Sequence, residues 1–402
     1  MQTFTGQQYL KMDIAGSFGL DKEDWDVRLD WFHANEGNLD HLTNKAETPA
    51  LFYAGVQAWK DVSQGKPSGF PISLDATSSG LQILSALACD HRASLLCNVV
   101  STGHREDAYT SIYKAMVQRL GTSAVIKREQ CKDAIMTSLF GSKAEPRRIF
   151  GPGETLKIFE ETMATEAPGP WELNQVFLNI WNNTRMINSW VLPDNFHVHD
   201  KVMRTVEETV RFLGAPYDLT RQINAPITGG RSLGANTIHS IDGMIVREMT
   251  RRCSYKTDQI EPLRAYFRDE QCLLPVMTHE EKMMCDRLWA LSRKSGYLSA
   301  RILDYLDPYW LESNPHTHDE LKALLDSMPA KPFQLIAVHD CFRCLPNYAN
   351  DMRRQYNHQL YLVAKSNLLP FIMSQHCDRP INAHKLDPFM IEKIPETDYA
   401  LS

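Results

Sequence analysis

Two aspartates, Asp75 and Asp340, stand at or just beyond the ends of short apolar runs, Phe70-Pro-Ile-Ser-Leu-Asp75 and Phe333-Gln-Leu-Ile-Ala-Val-His-Asp340. Both runs read as strands, and only a folded sheet can bring residues so distant in the chain together. A carboxylate pair at such a place suits two-metal phosphoryl transfer. Oxygen ligands fit Mg²⁺, which is usually held by one or two carboxylates plus substrate phosphates. Two ions about 3.5–4 Å apart then stabilise both the attacking and the leaving oxygen. The plainer reading is that a strand-terminal Asp caps a turn or a helix. Arg128 and Lys132 are one helical turn apart, so two cations on one face can meet a triphosphate. Phe140 lies roughly 12 Å further along a helix axis, the span from a nucleotide's phosphates to its base. By itself that pattern is equally an amphipathic helix with a basic face.

The elements that must position these residues follow from periodicity. After the strand ending at Asp75, Gly80 to Cys89 has helical apolar spacing at Leu81, Leu84 and Leu87. Residues 105–120 place Tyr109, Ile112, Tyr113, Met116 and Leu120 on one stripe, and 127–140 predict a second helix that Gly141 stops. A strand over 333–338 runs into His339-Asp340, and helical spacing resumes over 349–369. Residues 249–331 form a charged, mostly helical segment broken by Pro275, Pro308, Pro315 and Pro329, an elaboration rather than the scaffold of the site.

Composition bounds the answer. The chain has 402 residues, 43% of them hydrophobic and 23% charged, which fits a folded globular protein and excludes general disorder. The net charge of −6 gives no global electrostatic footprint for nucleic acid. Nine scattered cysteines predict reduced thiols, and Met1 to Leu20 has neither a basic nor an apolar leader, so neither export nor membrane insertion is expected. Cys341-Phe-Arg-Cys344 is a lone CxxC with no second pair at zinc spacing, and we read it as incidental. His199-Asp200 and His339-Asp340 resemble the dipeptide of metal-dependent phosphohydrolases, but those enzymes carry it on a helix with further histidines upstream.

The residues around the aspartates resemble a known family. Asp75-Ala-Thr-Ser-Ser-Gly80-Leu-Gln82 is similar to motif A of the single-subunit, bacteriophage and mitochondrial RNA polymerases, as is the preceding Phe52-Tyr-Ala-Gly-Val-Gln57. The helix carrying Arg128, Lys132 and Phe140-Gly141-Ser-Lys143 resembles motif B, and Val338-His339-Asp340-Cys-Phe342 resembles motif C. Gly234-Ala-Asn-Thr-Ile-His239-Ser-Ile-Asp242-Gly243 and the closing Thr397-Asp-Tyr-Ala-Leu-Ser402 are further matches, all in the family's order. The resemblance implies catalytic roles for Asp75, Asp340 and Lys132, with the two aspartates holding two Mg²⁺ ions. It implies triphosphate binding by Arg128 and Lys132 and closure over sugar and base by Phe140. Gly80 stands where replicative relatives of the fold place a bulky side chain, so a ribose 2′-hydroxyl has room. His239 matches a residue that contacts that hydroxyl, and Tyr109 one that stacks near the template base; core packing is the bland alternative for both.

What the resemblance implies for the whole is an α+β, polymerase A-like right hand, mostly helical with a small antiparallel palm sheet. The palm is expected from residues 1–100, 225–248 and 332–402, the last ending in a short foot. The fingers are expected over 101–224, with a hairpin at 203–224 where family members read promoter bases. The expected function is DNA-directed RNA synthesis, with a DNA template, an RNA product and NTPs as partners, in the cytoplasm of an infected bacterial host. A separate smaller chain is expected to supply the missing N-terminal and thumb parts, and a single-stranded DNA-binding accessory protein is a further expected partner. The alternatives are a DNA polymerase of the same fold, which Gly80 and His239 oppose, and a non-catalytic nucleic-acid-binding or scaffold subunit, which intact Asp75, Lys132 and Asp340 oppose.

Overall fold

Ile72–Asp75 (β1) alternates inward Ile72 and Leu74 with Ser73 and Asp75 on the open face, the period-two pattern of a half-buried strand. In the computed structural model, which describes residues 1–121 and 125–402, this strand is one edge of a three-stranded antiparallel sheet. Its partner is Cys341–Cys344 (β7), which also pairs with Ile336–Val338 (β6), giving the order β1-β7-β6. The strand expected over 333–338 is shortened, and β7 is a strand that the sequence reading did not separate. His339-Asp340 therefore occupies a hairpin turn, with His339 at φ +57° in the left-handed region. On the free edge of β1, Ser402 exchanges backbone bonds with Asp75 (3.2 and 3.0 Å), and Ala76 bridges Leu401.

Behind the sheet lies Ser79–Ala88, a helix buried on every side from Leu81 to Ala88 rather than along one stripe. Within it Gln82, fully buried, donates to Thr77 Oγ1 (3.0 Å), the Cys97 carbonyl (3.0 Å) and the Ala400 carbonyl (2.9 Å), and accepts from Tyr356 OH (2.8 Å). A buried amide is tolerated there because its partners are supplied, and in return it ties the turn after β1 to three other parts of the chain. The helix expected over 349–369 is observed as Ala349–Lys365 and Leu368–Cys377, broken where Asn367 donates its N–H to the Ser295 carbonyl (2.7 Å).

Two helices face the open side of the sheet. Ala108–Leu120 starts at its cap, Asp107, whose carboxylate accepts from the N–H groups of Tyr109 (3.0 Å) and Thr110 (3.2 Å). Arg128–Leu139 follows and is stopped at Gly141, which adopts φ +87° against the Arg231 carbonyl. The hairpin expected within 203–224 is present as Met203–Phe212 (β4) and Ala215–Asn224 (β5), joined by Leu213-Gly214, both at positive φ. Most of its side chains are exposed.

Ser232–Cys253 is a single 22-residue helix, so the 248/249 boundary drawn from sequence falls inside continuous structure. The segment beyond it has its own apolar core, from Tyr255, Ile260 and Leu263 through Leu288, Trp310 and Leu311 to Leu325 and Met328. Its two ends meet: Phe333 donates its N–H to the Cys253 carbonyl (2.7 Å), and Ser254 Oγ bonds the Phe333 carbonyl (3.0 Å) and the Leu335 N–H (3.0 Å). All nine cysteines are free, and no described helix is long and apolar enough to cross a membrane.

Candidate active site

The sheet brings the two aspartates together. Asp75 ends β1 directly opposite Cys341, the residue after Asp340, and the N–H of Ala76 bonds the Asp340 carbonyl (3.2 Å). Asp75 opens onto the cleft, yet the protein around it and the negative charge of Asp340 push its carboxyl up to about 6. Asp242, on the Ser232–Cys253 helix, is pushed up to about 6 by burial and then by Asp340, with His339 pulling the other way. Three acidic groups thus share one electrostatic neighbourhood, though among the described residues no group of three or more acidic, histidine or cysteine ligands is close enough to form a metal cage. The carboxylates of Asp75 and Asp340 are a donor set that fits a hard divalent cation completed by substrate phosphates and water.

A cleft of about 450 Å³ opens in front of Asp75, and Tyr109, Arg128 and Lys132 line it. Lys132 Nζ lies 5.7 Å from the centre of the Tyr109 ring, and the Tyr109 hydroxyl is 3.2 Å from Ser78 Oγ, three residues past Asp75. Arg128 is placed differently from the sequence expectation of two equivalent free cations. Its guanidinium is ion-paired with Asp107, and its Nε donates to Thr110 Oγ1 (2.7 Å). Burial works against Asp107's charge, but the bonds from Thr110 and Arg128 hold its carboxyl below the usual range. Lys132 has no ion-pair partner among the described residues.

Gly80, Phe140 and His239 form an adjoining cluster. The Phe140 and His239 rings are 5.1 Å apart, centre to centre, and the tip of Phe140 rests on Gly80. Residues from three separate segments thus come into contact, with Gly80 two residues past Ser78, which bonds Tyr109. All eight predicted site residues gather around one end of the sheet. Sequence reasoning missed Asp107 as the partner of Arg128, although an Asp just before a helical stripe is a legible cap signal. It also missed Arg105, which lines the cleft with its Nε 3.1 Å from Ser402 Oγ, and gave Asp242 no role.

Comparison with known proteins bears on this arrangement. Residues 3–145, which hold Asp75, Gly80, Tyr109, Arg128, Lys132 and Phe140, match the family model described as DNA-dependent RNA polymerase. Over that stretch, just over a third of the chain, the sequence is similar to the DNA-dependent RNA polymerase family. A probable DNA-directed RNA polymerase of Neurospora crassa is 30% identical over 125 residues, 29% of this chain and 14% of that protein. The DNA-directed RNA polymerase of Pseudomonas phage phiKMV is 32% identical over 124 residues, 27% of this chain and 15% of that protein. The chain thus aligns with about one seventh of the length of these polymerases, and the polymerase-family stretch ends before His239 and Asp340.

Proposed function

We propose that this protein is the catalytic part of a DNA-directed RNA polymerase, transferring nucleotidyl groups from NTPs to a growing RNA on a DNA template. The observation that carries the reading is the convergence of Asp75, at the end of β1, and Asp340, in the turn before β7, beside a cleft lined by Asp75 and Lys132. In this reading the three-stranded sheet is the floor of a palm, and the two helices carrying Tyr109 and Lys132 belong to fingers. Asp75 and Asp340 would hold Mg²⁺, which when bound supplies charge neutralisation at the reacting phosphate.

The chain's own residues then have separable tasks. Lys132 presents an unpaired ammonium to the triphosphate, while Arg128, clasped by Asp107 and Thr110, fixes the fingers helix against its neighbour and adds positive field. Phe140 and His239 would wall the sugar pocket, and Gly80, against which the Phe140 ring rests, contributes no side chain of its own to exclude a ribose hydroxyl. The exposed β4–β5 hairpin is a candidate contact for the template duplex. A DNA polymerase of the same fold is the second reading, favoured only by Phe140, which lacks a hydroxyl for sugar recognition. Extension of a primed DNA template with NTPs and with dNTPs in parallel separates the two. Efficient use of dNTPs alone would sink the RNA reading, and no extension with either would sink both.

A further inference from the structure

Arg343 belongs to the Cys341-Phe-Arg-Cys344 run. In β7 the run alternates: Phe342 and Cys344 are buried, while Cys341 and Arg343 line the cleft. The register sets Arg343 opposite Ser73 on one side and Ile336 on the other, and Cys341 opposite Asp75 and Val338. Residues directly opposite on antiparallel strands project from one face. Arg343 therefore shares the open face of the sheet with Asp75, and beside it stand Ile336 and Val338, 42% and 53% exposed.

Two features separate Arg343 from the other arginines of the cleft. Arg28 is spent on the carbonyls of Glu23 and Asp21, Arg105 donates its Nε to Ser402 Oγ, and Arg128 is held by Asp107 and Thr110. Arg343 enters no ion pair among the described residues, and its Nε is buried without a hydrogen-bond partner. Its position along the sheet is also distinctive. From Ser73 the chain runs through Asp75 to Ser78, which bonds Tyr109, and Gly80, which supports Phe140. The nucleotide pocket lies on that side of Asp75. Arg343, level with Ser73, lies about 7 Å to the other side, two strand residues back.

We propose that Arg343 binds the phosphodiester backbone of the strand being extended, just behind its reactive end, with Ile336 and Val338 as an apolar flank for the adjoining sugars. This rests on the polymerase reading of the same site. A guanidinium presents paired donors to phosphate oxygens, and a buried donor left unpaired is costly until a partner arrives.

The test uses the full chain and a fluorescent RNA primer annealed to a DNA template, titrated without nucleotide at several salt concentrations, followed by steady-state extension. For Arg343→Gln the expected results are a roughly tenfold weaker Kd for the primed template, an unchanged KM for NTP, and a salt slope smaller by about 0.7–0.9. Arg343→Lys should retain most of the slope. An unchanged Kd and slope overturn the proposal, as does a raised KM for NTP, which would put Arg343 on the triphosphate. Equal losses in the Gln and Lys variants together with a lowered Tm overturn it too, as they would mark a structural residue beside Asp13 and Cys341. Arg343-dependent binding by a wild-type chain that extends nothing upholds the subsite and sinks the polymerase reading. Full extension indifferent to Arg343 does the reverse.

Discussion

Gly80 and Phe140 are in contact: a Cβ built on Gly80 would lie 3.0 Å from Cζ of Phe140. That places the para position of the ring, where a tyrosine would carry its hydroxyl, against Gly80, with His239 beside the ring. Phe140→Tyr is expected to raise the preference for NTP over dNTP by about 1–2 kcal/mol, the scale of one hydrogen bond to a group otherwise left unsatisfied. The ratio of kcat/KM values on one template at constant Mg²⁺ measures it, and an unchanged ratio would mean that Phe140 does not face the sugar. Gly80→Ala should lower kcat/KM for both nucleotides, since the ring must retreat by a few tenths of an ångström.

Asp75→Asn and Asp340→Asn are each expected to abolish extension while leaving Tm within a few degrees of wild type. Each swap keeps the shape and removes a charge that a divalent ion requires. Activity within about tenfold of wild type, only about 1.4 kcal/mol of barrier, would remove the metal assignment.

Arg128 and Lys132 should part company when truncated. Lys132→Ala is expected to raise KM for NTP and leave Tm unchanged. Arg128→Ala breaks the clasp between two helices and strands Asp107, so unfolding in urea should show a loss of about 1–3 kcal/mol. Equal thermal stability of the two variants would contradict the division of labour.

His376 gives the fold an acid limit. It is 2% exposed, with Nε2 3.0 Å from Thr237 Oγ1 and its ring edge-on to Trp190. Burial, and then the charge of Arg185, depress it from 6.5 to about 4. Between those values the unfolded chain takes up a proton that the native protein refuses. The stability of the neutral ring is therefore fully present above about 6.5 and lost as pH falls toward 4, on the order of 3 kcal/mol. His376→Gln should flatten the fall in urea stability between pH 7.5 and 5. Some fall should persist, because burial also depresses His358, to about 3.

The elements were more legible than their encounters. β1 and the helices after Gly80, Tyr109 and Arg128 follow from local periodicity, the 203–224 hairpin was implied by the family resemblance alone, and all appear within a few residues of expectation. β7 did not, because four residues with Cys at both ends read as a motif before they read as a strand. The burial of both flanks of Ser79–Ala88 depends on which elements cover it, which no local pattern carries. The pairing of Arg128 with Asp107 was likewise invisible, since a helix face shows which residues project together and not what stands opposite. The family resemblance assigned the aspartates, Lys132, Gly80 and His239 to one site; the contact of Phe140 with Gly80 required the tertiary structure.

The lobe between Cys253 and Phe333 leaves and re-enters the chain at one doorway, where the two residues share a backbone bond of 2.7 Å, and apart from Tyr297, which packs into the main core, its apolar interior is a cluster of its own. A segment built that way behaves as a cassette. Its acquisition asks the host fold to reroute a single loop, and its excision leaves two ends already side by side for a short splice. Selection can accordingly reshape or discard this lobe at a pace of its own, while the sheet that carries Asp75 and Asp340 stays as it was.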